Sequence, residues 1–188
     1  MEIALLANKG GVGKSTLSLL LYEALKMAGR TVVLHDWDIQ GTSSTALNLI
    51  YGERVMQNPE NYDIAIYDTP PHFGHDATIL AVKKADVALV VVSPSPADIW
   101  EAEKAVQFVR KQNKNAIVQV VFNKVRKGTL LGQLVEEQAK KISAPMVKIT
   151  LSQRECYQHA LGQGWKALDA AAKEEVLGFA VSVTTIKK

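Results

Sequence analysis

Glycines, lysines and hydroxyl residues are clustered directly after the first apolar segment of the chain. Backbone N–H groups converge where such a loop enters a helix, and the helix dipole favours an anion there. Gly10, Gly11 and Gly13 let the backbone wrap closely around phosphate oxygens. Lys14 is then expected to reach the β and γ phosphates of a nucleotide, and the Ser15 hydroxyl to ligate Mg²⁺.

The whole cluster is therefore predicted to bind a nucleotide. The residues predicted to contact it are Lys9, Gly10, Gly11, Val12, Gly13, Lys14, Ser15 and Thr16. A glycine turn with a solvated lysine is the alternative. The pattern disfavours that alternative, because an apolar strand precedes the cluster and a helical pattern follows it.

Carboxylates follow two further apolar segments. Asp36 and Asp38 come after the second predicted strand, and Asp68 comes after the third. In open parallel sheets, ligands bind outside the carboxyl ends of the strands, so these acids are expected beside the phosphate loop. Mg²⁺ keeps most of its waters, and we expect Asp68 to hold it through a water, with Asp36 sharing this task. Asp36 and Asp38 could instead form a turn or cap a helix that starts at Thr42.

Short β-branched segments alternate with stretches of helical period, which indicates parallel βαβ units. The predicted strands are residues 3–6, 31–35, 64–67, 87–92, 117–122 and 146–149, and the predicted helices are 14–28, 97–112, 130–142 and 167–186. The loop-like piece 52–61 is too short to separate two domains. We therefore expect a single α/β domain over residues 1–188, a P-loop NTPase with a mostly parallel β-sheet flanked by helices on both faces.

The composition excludes several classes of protein. Of the 188 residues, 47% are hydrophobic and 22% are charged, which is typical of a soluble globular domain. Cys156 is the only cysteine, which excludes an internal disulfide framework and a cysteine-based zinc cluster. No apolar run reaches the roughly eighteen residues of a membrane span. The net charge of +3 permits contact with nucleic acid without requiring it.

A second lysine narrows the interpretation of the glycine cluster. Lys9 directly precedes Gly10, so the segment reads K-G-G-V-G-K-S-T. It resembles the deviant Walker A box of the ParA/MinD family of ATPases. The resemblance implies that Lys9 reaches across a dimer interface to the partner's nucleotide, so that a homodimer sandwiches ATP. A surface lysine at the entrance of a loop is the alternative.

The same resemblance implies roles for the acids. Asp68 resembles the Walker B aspartate, and Asp38 resembles the family's catalytic acid, which orients or polarises the water that attacks the γ-phosphate. The implied catalytic residues are Lys9, Lys14 and Asp38, which act by positioning and charge stabilisation.

The chain departs from the family's common Asp-x-Asp-Pro-Gln pattern beside these acids. Trp37 stands where a small or aliphatic residue is common, and Ile39 replaces the proline. We therefore expect this switch loop to move differently, which affects the rate of hydrolysis more than the binding of ATP.

Asn123 follows the predicted strand 117–122 and matches the position where the family presents an amide to adenine. An amide both donates and accepts hydrogen bonds, as adenine requires; a simple turn asparagine is the alternative. Segments 93–98 and 150–157, with Ala160 and Gly164, also resemble the short ParA-type partition ATPases. The resemblance spans nearly the whole chain, and we expect no N-terminal DNA-reading extension of the kind found in longer ParA proteins.

This resemblance implies an ATPase with Mg²⁺ and ATP as cofactors that binds non-specific DNA as an ATP dimer. A ParB-like or adaptor protein would stimulate its slow hydrolysis, and the cycle would position a plasmid, a chromosome or a protein organelle. A cytoplasmic, nucleoid-associated location follows. Basic residues that could contact phosphates are Lys83, Lys84, Lys104, Arg110, Lys111, Lys114, Lys124, Arg126, Lys127, Lys140, Lys141, Arg154, Lys166, Lys187 and Lys188. Solvated helix faces with acidic neighbours such as Glu136 and Glu137 are the alternative.

A MinD-like membrane-cycling ATPase is the second hypothesis, and it would end in a basic amphipathic helix. The last predicted helix instead carries Glu174 and Glu175 in its middle, and its terminal basic pair is Lys187 and Lys188. No stable membrane association is therefore expected. A metabolic P-loop kinase or a metallocluster carrier is a third possibility, disfavoured because a second cysteine and an acceptor-binding lid are missing from the sequence.

Overall fold

Parallel strands form a five-stranded sheet in the computed structural model, which describes residues 1–52 and 61–186. The strands are β1 (Glu2–Leu6), β2 (Val32–Asp36), β3 (Ile64–Asp68), β4 (Val87–Val92) and β5 (Ile117–Phe122). Their spatial order is β2-β3-β1-β4-β5, and every neighbouring pair is parallel. The central strand β1 therefore delivers its following loop to the middle of the carboxyl edge, where ligands bind in sheets of this kind.

Helices follow the strands in the order expected of βαβ units. They are α1 (Lys14–Met27), α2 (Thr42–Tyr51), α3 (Asp76–Lys84), α4 (Pro96–Gln112), α5 (Leu130–Gln133), α6 (Val135–Ala139), α7 (Cys156–Gln163) and α8 (Ala170–Thr184). Two of the longer helices begin at N-cap residues whose side chains accept hydrogen bonds. The Ser95 side chain accepts one from the Asp98 N–H at the start of α4, and the Asp169 side chain accepts one from the Ala172 N–H at the start of α8.

The sheet is buried on both faces because its strands send successive side chains to opposite sides. On one face, Ile3 and Leu5 pack in a core that includes α1, α7 and α8. On the other face, Ala4 and Leu6 pack in a core that includes α3 and α4. The predicted fold class, a mostly parallel sheet with helices on both faces, is thus confirmed.

The predicted sixth strand at residues 146–149 is wrong. Val147 donates to the Val120 carbonyl, and Leu151 donates to the Phe122 carbonyl, both over 2.9 Å. Four residues of one segment thus run beside two residues of β5, and a regular ladder is impossible at that ratio. Only isolated bridges form there, Val120 with Met146 and Val125 with Ser152.

Several helix predictions also need correction. The helices at 14–28 and 97–112 are confirmed to within a residue at each end. The helix predicted at 130–142 is two short helices that meet at Leu134, whose ψ of 8° leaves the helical range. The last helix starts at Ala170 because a 3-10 turn, Gly164–Ala167, precedes it. Helices α2, α3 and α7 were not predicted from the sequence.

Some predictions fall outside the described residues. These are Lys187, Lys188 and most of the loop-like piece 52–61. Within the described residues, no helix is long and apolar enough to cross a membrane.

Candidate functional site

The loop between β1 and α1 has a backbone that requires glycine. Gly11 and Gly13 have φ angles of 79° and 95°, in the left-handed region that side chains disfavour. A Cβ on Gly13 would also collide with the side-chain amide of Asn123. The loop therefore keeps its shape only with glycine at this position, as the predicted phosphate-binding role demands.

A cavity of about 490 Å³ opens beside this loop. The predicted site residues that line it are Gly10, Gly11, Gly13, Lys14, Ser15, Thr16, Asp38 and Asn123. Lys9, Val12, Asp36 and Asp68 are not part of its lining. Most of the predicted site residues thus line one cavity, and the other four lie outside its lining.

Lys14 lies at the start of α1 and is only 6% exposed. Burial lowers the pKa of Lys14, while the carboxylates of Asp68 and Asp38 act to raise it. A buried ammonium group gains stability from a further negative charge beside it. The cavity next to Lys14 is accordingly suited to an anion such as a phosphate.

Asp68 lies at the end of β3 and is fully buried. Neither of its carboxylate oxygens receives a hydrogen bond from the described residues. Burial raises the pKa of Asp68 to about 6, and the carboxylate of Asp36 adds to this rise. The nearby Ser15 and Ser43 hydroxyls and the Lys14 ammonium oppose it. A buried carboxylate that receives no hydrogen bond is costly unless a cation or its bound waters satisfy it.

These residues fit a hydrated Mg²⁺. Asp68 could hold waters of the ion, and Ser15 could ligate it directly, as Mg²⁺ takes few protein carboxylates and keeps several waters. No cluster of three or more His, Cys, Asp or Glu side chains suited to a metal occurs within residues 1–52 and 61–186. The ion would therefore depend on phosphate oxygens for the rest of its shell.

Asp36 is engaged with the backbone that follows it. One oxygen accepts a hydrogen bond from the N–H of Asp38 over 3.1 Å, and the other accepts one from Ser44 over 2.8 Å. Ser44 lies in the first turn of α2, so Asp36 does serve the turn and helix start considered as its alternative role. Its proposed share in Mg²⁺ binding stays a prediction.

Asp38 faces the cavity at its mouth. Its Oδ1 accepts a hydrogen bond from Gln40 over 3.1 Å, and its carbonyl accepts one from Gly41. This tight turn directs the carboxylate towards the same space as Lys14. The arrangement is compatible with an acid that orients a water, which stays a prediction.

The two unusual residues of the switch loop have different environments. Trp37 packs on Tyr67 with ring centroids 4.7 Å apart, and the backbone N–H of Trp37 donates to the carbonyl of Asp68 over 2.9 Å. His35 stacks on the same Tyr67 ring at 5.1 Å. Ile39 is 97% exposed. The loop is therefore anchored to β3 on one side of Asp38 and carries an unsupported apolar side chain on the other.

Lys9 points away from the cavity of its own chain. Its Nζ forms an ion pair with Asp98 of α4 at 3.0 Å, and its side chain remains 45% exposed. Burial alone would raise the pKa of Asp98, but hydrogen bonds from Ser93 and Lys9 hold it below its ordinary value. The two lysines of the glycine loop thus have opposite placements, with Lys14 inside and Lys9 outside.

The end of β5 is tied to the phosphate loop. The Asn123 amide donates to the carbonyl of Val12 over 2.8 Å, and Lys124 Nζ donates to the carbonyl of Gly11 over 2.6 Å. Lys124 has a φ of 57°, a conformation that costs a residue with a side chain about 1 kcal/mol or more. The sequence predicts Lys124 only as a surface cation, although its place directly after Asn123 is a usable signal for a contact with the phosphate loop.

A further wall of the cavity was not predicted from the sequence. It is formed by Ser152, Gln153, Arg154, Tyr157, Gln158 and Leu161, and Gln40, Thr42 and Pro71 also line the cavity. From the sequence, segment 150–157 resembles short ParA-type partition ATPases, and the resemblance implies no role for it. Its residues carry no recognisable local motif, so only the fold reveals that they face the phosphate loop.

A central parallel strand, a glycine loop and a buried lysine at the start of a helix define a P-loop nucleotide-binding protein. Comparison with known families agrees: residues 3–164 match the CobQ/CobB/MinD/ParA nucleotide binding domain. The chain belongs to this family. The resemblance to ParA/MinD ATPases predicted from the glycine cluster is thereby confirmed.

Relatives of the chain include proteins that position or partition a cargo. It is 24% identical over 185 residues to the "Maintenance of carboxysome distribution protein A" of Halothiobacillus neapolitanus, covering 88% of this chain and 85% of that protein. It is 32% identical over 101 residues to the chromosome partitioning protein ParA of Caulobacter vibrioides, covering 54% of this chain but 34% of that protein. The MinD cell division protein of Aquifex aeolicus shares the fold, with a TM-score of 0.79, 19% identity, and coverage of 100% and 98% of the two chains.

Proposed function

We propose that this protein is an ATPase that dimerises around ATP, binds non-specific DNA in that state, and positions or partitions a cargo. The observation that carries the proposal is the opposite placement of the two lysines in one nucleotide loop. Lys14 is buried against the cavity, and Lys9 is half-exposed outside it. Within its own chain Lys9 pairs only with Asp98 among the described residues, so its exposed ammonium group remains available to a second subunit.

In this proposal the phosphates lie along residues 10–16, with Lys14 beside the β and γ groups. When bound, Mg²⁺ neutralises charge on the transferred phosphate. Asp38 at the mouth of the cavity orients the attacking water, and the chain contributes mainly position and electrostatic stabilisation. The anchored Trp37 limits how freely this loop adjusts, which favours slow basal hydrolysis.

Dimerisation requires Lys9 to leave Asp98. The Lys9 side chain is 45% exposed, whereas that of Asp98 is 11% exposed, so breaking this pair costs more than the roughly 0–1 kcal/mol of a fully exposed one. Asp98 keeps the hydrogen bonds from the Ser93 N–H and hydroxyl when Lys9 leaves. The charged phosphates of a nucleotide in a second subunit offer a stronger partner than one carboxylate. The exchange from Asp98 to a partner's nucleotide is therefore energetically accessible.

The DNA-binding part of the proposal rests on exposed cations. Lys127 and Lys148 line a second surface concavity, together with Arg154 and the acids Glu174 and Glu175. Other lysines of the second half, such as Lys140, Lys141 and Lys166, are also exposed. Several such contacts are enough for salt-sensitive binding to a phosphate backbone.

A membrane-binding tail fits the structure less well. Val176, Phe179 and Val183 of α8 are fully buried in the core that also contains α1. The apolar stripe of this helix is therefore used for packing. Glu174 and Glu175 are acidic, whereas a membrane-binding helix needs a basic polar face. The similarity to a carboxysome distribution protein adds a protein organelle to the cargoes to be tested, beside a plasmid or a chromosome.

The proposal is tested by ATP-dependent binding to a DNA duplex of arbitrary sequence across a salt series. We expect binding with Mg·ATP, little binding with ADP, and a linear fall of log affinity with log salt concentration. Lys14→Ala serves as the control that removes the response to ATP. Pelleting with acidic liposomes and no binding to DNA would instead favour the membrane-cycling hypothesis. If DNA binding is observed, a ParB-like or adaptor partner can be identified by its stimulation of phosphate release.

A further inference from the structure

The far wall of the cavity is organised by a residue that does not line it. Glu175 of α8 accepts hydrogen bonds from three residues of the segment 152–157. The Ser152 N–H and hydroxyl donate over 3.0 and 2.6 Å, Arg154 Nη2 over 2.9 Å, and the Tyr157 hydroxyl over 2.9 Å. Ser152, Arg154 and Tyr157 all line the cavity, whereas Glu175 is not part of its lining.

The carboxylate is well placed for this task. Its side chain is 13% exposed, and it forms an ion pair with Arg154. Burial alone would raise the pKa of Glu175, but the hydrogen bonds from Arg154, Ser152 and Tyr157 hold it at about 2. Glu175 therefore stays charged at neutral pH, and charge-assisted hydrogen bonds are stronger and more directional than neutral ones.

The segment needs such an anchor because its backbone support is sparse. Val125 donates to the Leu151 carbonyl, and Gln153 donates to the Val125 carbonyl, both over 3.0 Å. After Gln153 the chain leaves the edge of the sheet, and α7 begins at Cys156. The Arg154 and Tyr157 side chains both donate hydrogen bonds to Glu175. Arg154 also forms a longer ion pair with Asp169 at 3.8 Å, so Glu175 is its nearer acidic partner.

The position of the wall indicates which part of a nucleotide it meets. The triphosphate is expected along the glycine loop and the start of α1. A cavity of about 490 Å³ is in the size range of sites that enclose whole small ligands. The ribose and base therefore extend towards the wall, which offers hydroxyl, amide, guanidinium and apolar groups.

We propose that Glu175 is a positioning residue for the nucleoside part of the bound nucleotide, acting through Ser152, Arg154 and Tyr157. This inference rests on the proposed nucleotide binding, but it requires neither dimerisation nor DNA. It makes the last helix of the fold part of the apparatus that recognises ribose and base. Affinity for the triphosphate alone is independent of it.

The test compares ATP with inorganic tripolyphosphate, both with Mg²⁺, by calorimetry on Glu175→Ala and Glu175→Gln. We expect Glu175→Ala to weaken ATP binding roughly tenfold or more and to leave tripolyphosphate binding within about twofold. Glu175→Gln keeps an acceptor for Ser152 and Tyr157 but loses the charge that holds Arg154, so an intermediate loss is expected. Glu174→Ala is the matched control on the exposed face of the same helix, and it should change neither affinity.

Tyr157→Phe removes a single hydroxyl and provides a milder variant if Glu175→Ala fails to fold. It should shift the preference between the two ligands in the same direction by a smaller factor. Equal weakening of both ligands would show that Glu175 only stabilises the fold, and an unchanged ATP affinity would show that it has no role. Wild-type protein that bound no Mg·ATP would overturn the proposed function itself, whereas normal wild-type binding with unaltered variants would overturn only the role of Glu175.

Discussion

The buried carboxylate of Asp68 leads to a prediction that separates function from stability. Asp68 is fully buried, and neither oxygen has a partner among the described residues. In the protein without nucleotide or Mg²⁺, such a charge opposes folding, because burial removes its hydration and the nearby Ser15 and Ser43 hydroxyls and the Lys14 ammonium compensate only in part. Asp68→Asn should therefore make the folded protein more resistant to unfolding at neutral pH while impairing its response to Mg·ATP.

The size of the effect follows from the pKa of Asp68. A rise from the ordinary value of 3.8 to about 6 corresponds to about 3 kcal/mol of unfolding free energy. Because the folded-state pKa of this acid is raised, the penalty is absent below about pH 3.8 and complete above about pH 6. Wild-type stability should thus fall relative to Asp68→Asn as the pH rises through this window.

Urea unfolding in EDTA at several pH values between about 3.5 and 7.5 measures this difference. The difference in unfolding free energy between the two proteins, followed as a function of pH, removes the contributions of the other titrating groups. A constant cost of burying the amide does not change with pH and is removed in the same way. Asp76→Asn is the matched control, because Asp76 is exposed in the first turn of α3. It should lose only a few tenths of a kcal/mol from the helix dipole.

Mg·ATP provides the second arm of the experiment. At one hundred times its dissociation constant, a ligand stabilises the folded wild-type protein by about 2.7 kcal/mol. Asp68→Asn should show much less of this gain, since the amide cannot replace the carboxylate towards a hydrated cation. A difference in stability that does not vary with pH, or full stabilisation of the variant by Mg·ATP, would refute the reasoning.

Three further substitutions address the remaining residues of the site. Lys9→Ala should weaken ATP-dependent dimerisation in light scattering while the monomer still binds ATP; an unaltered mass distribution would leave Lys9 a surface residue paired with Asp98. Asp38→Ala should slow phosphate release roughly tenfold or more and accumulate the ATP dimer, and an unchanged rate would remove Asp38 from its role. Gly13→Ala should destabilise the protein by about 1–2 kcal/mol, from the left-handed backbone alone, and abolish nucleotide binding through its clash with Asn123. Gly74→Ala, where a Cβ meets no atom within 4 Å, is its control in unfolding and binding assays, and equal behaviour of the two would contradict the strain argument.

The elements predicted correctly are those whose signals are local. The strands are short apolar segments, and helix α1 follows a glycine loop, so a single window of sequence identifies each one. The segment 146–149 has the same apolar character, yet it does not pair as a strand, because four of its residues run beside only two residues of β5. Pairing depends on two distant segments at once, and a window of sequence contains only one.

The sequence by itself determined the phosphate loop, because eight contiguous residues carry both its shape and its charges. It also indicated the acids at strand ends, since parallel strands bring their carboxyl ends to one edge. Tertiary structure decided which groups these residues meet. The Lys9–Asp98 pair spans 89 positions, and the hydrogen bond from Asn123 to Val12 spans 111. Glu175 and the cavity wall it organises belong to the same category, because a carboxylate on a late helix acquires a role only when folding packs it behind a loop 23 residues earlier.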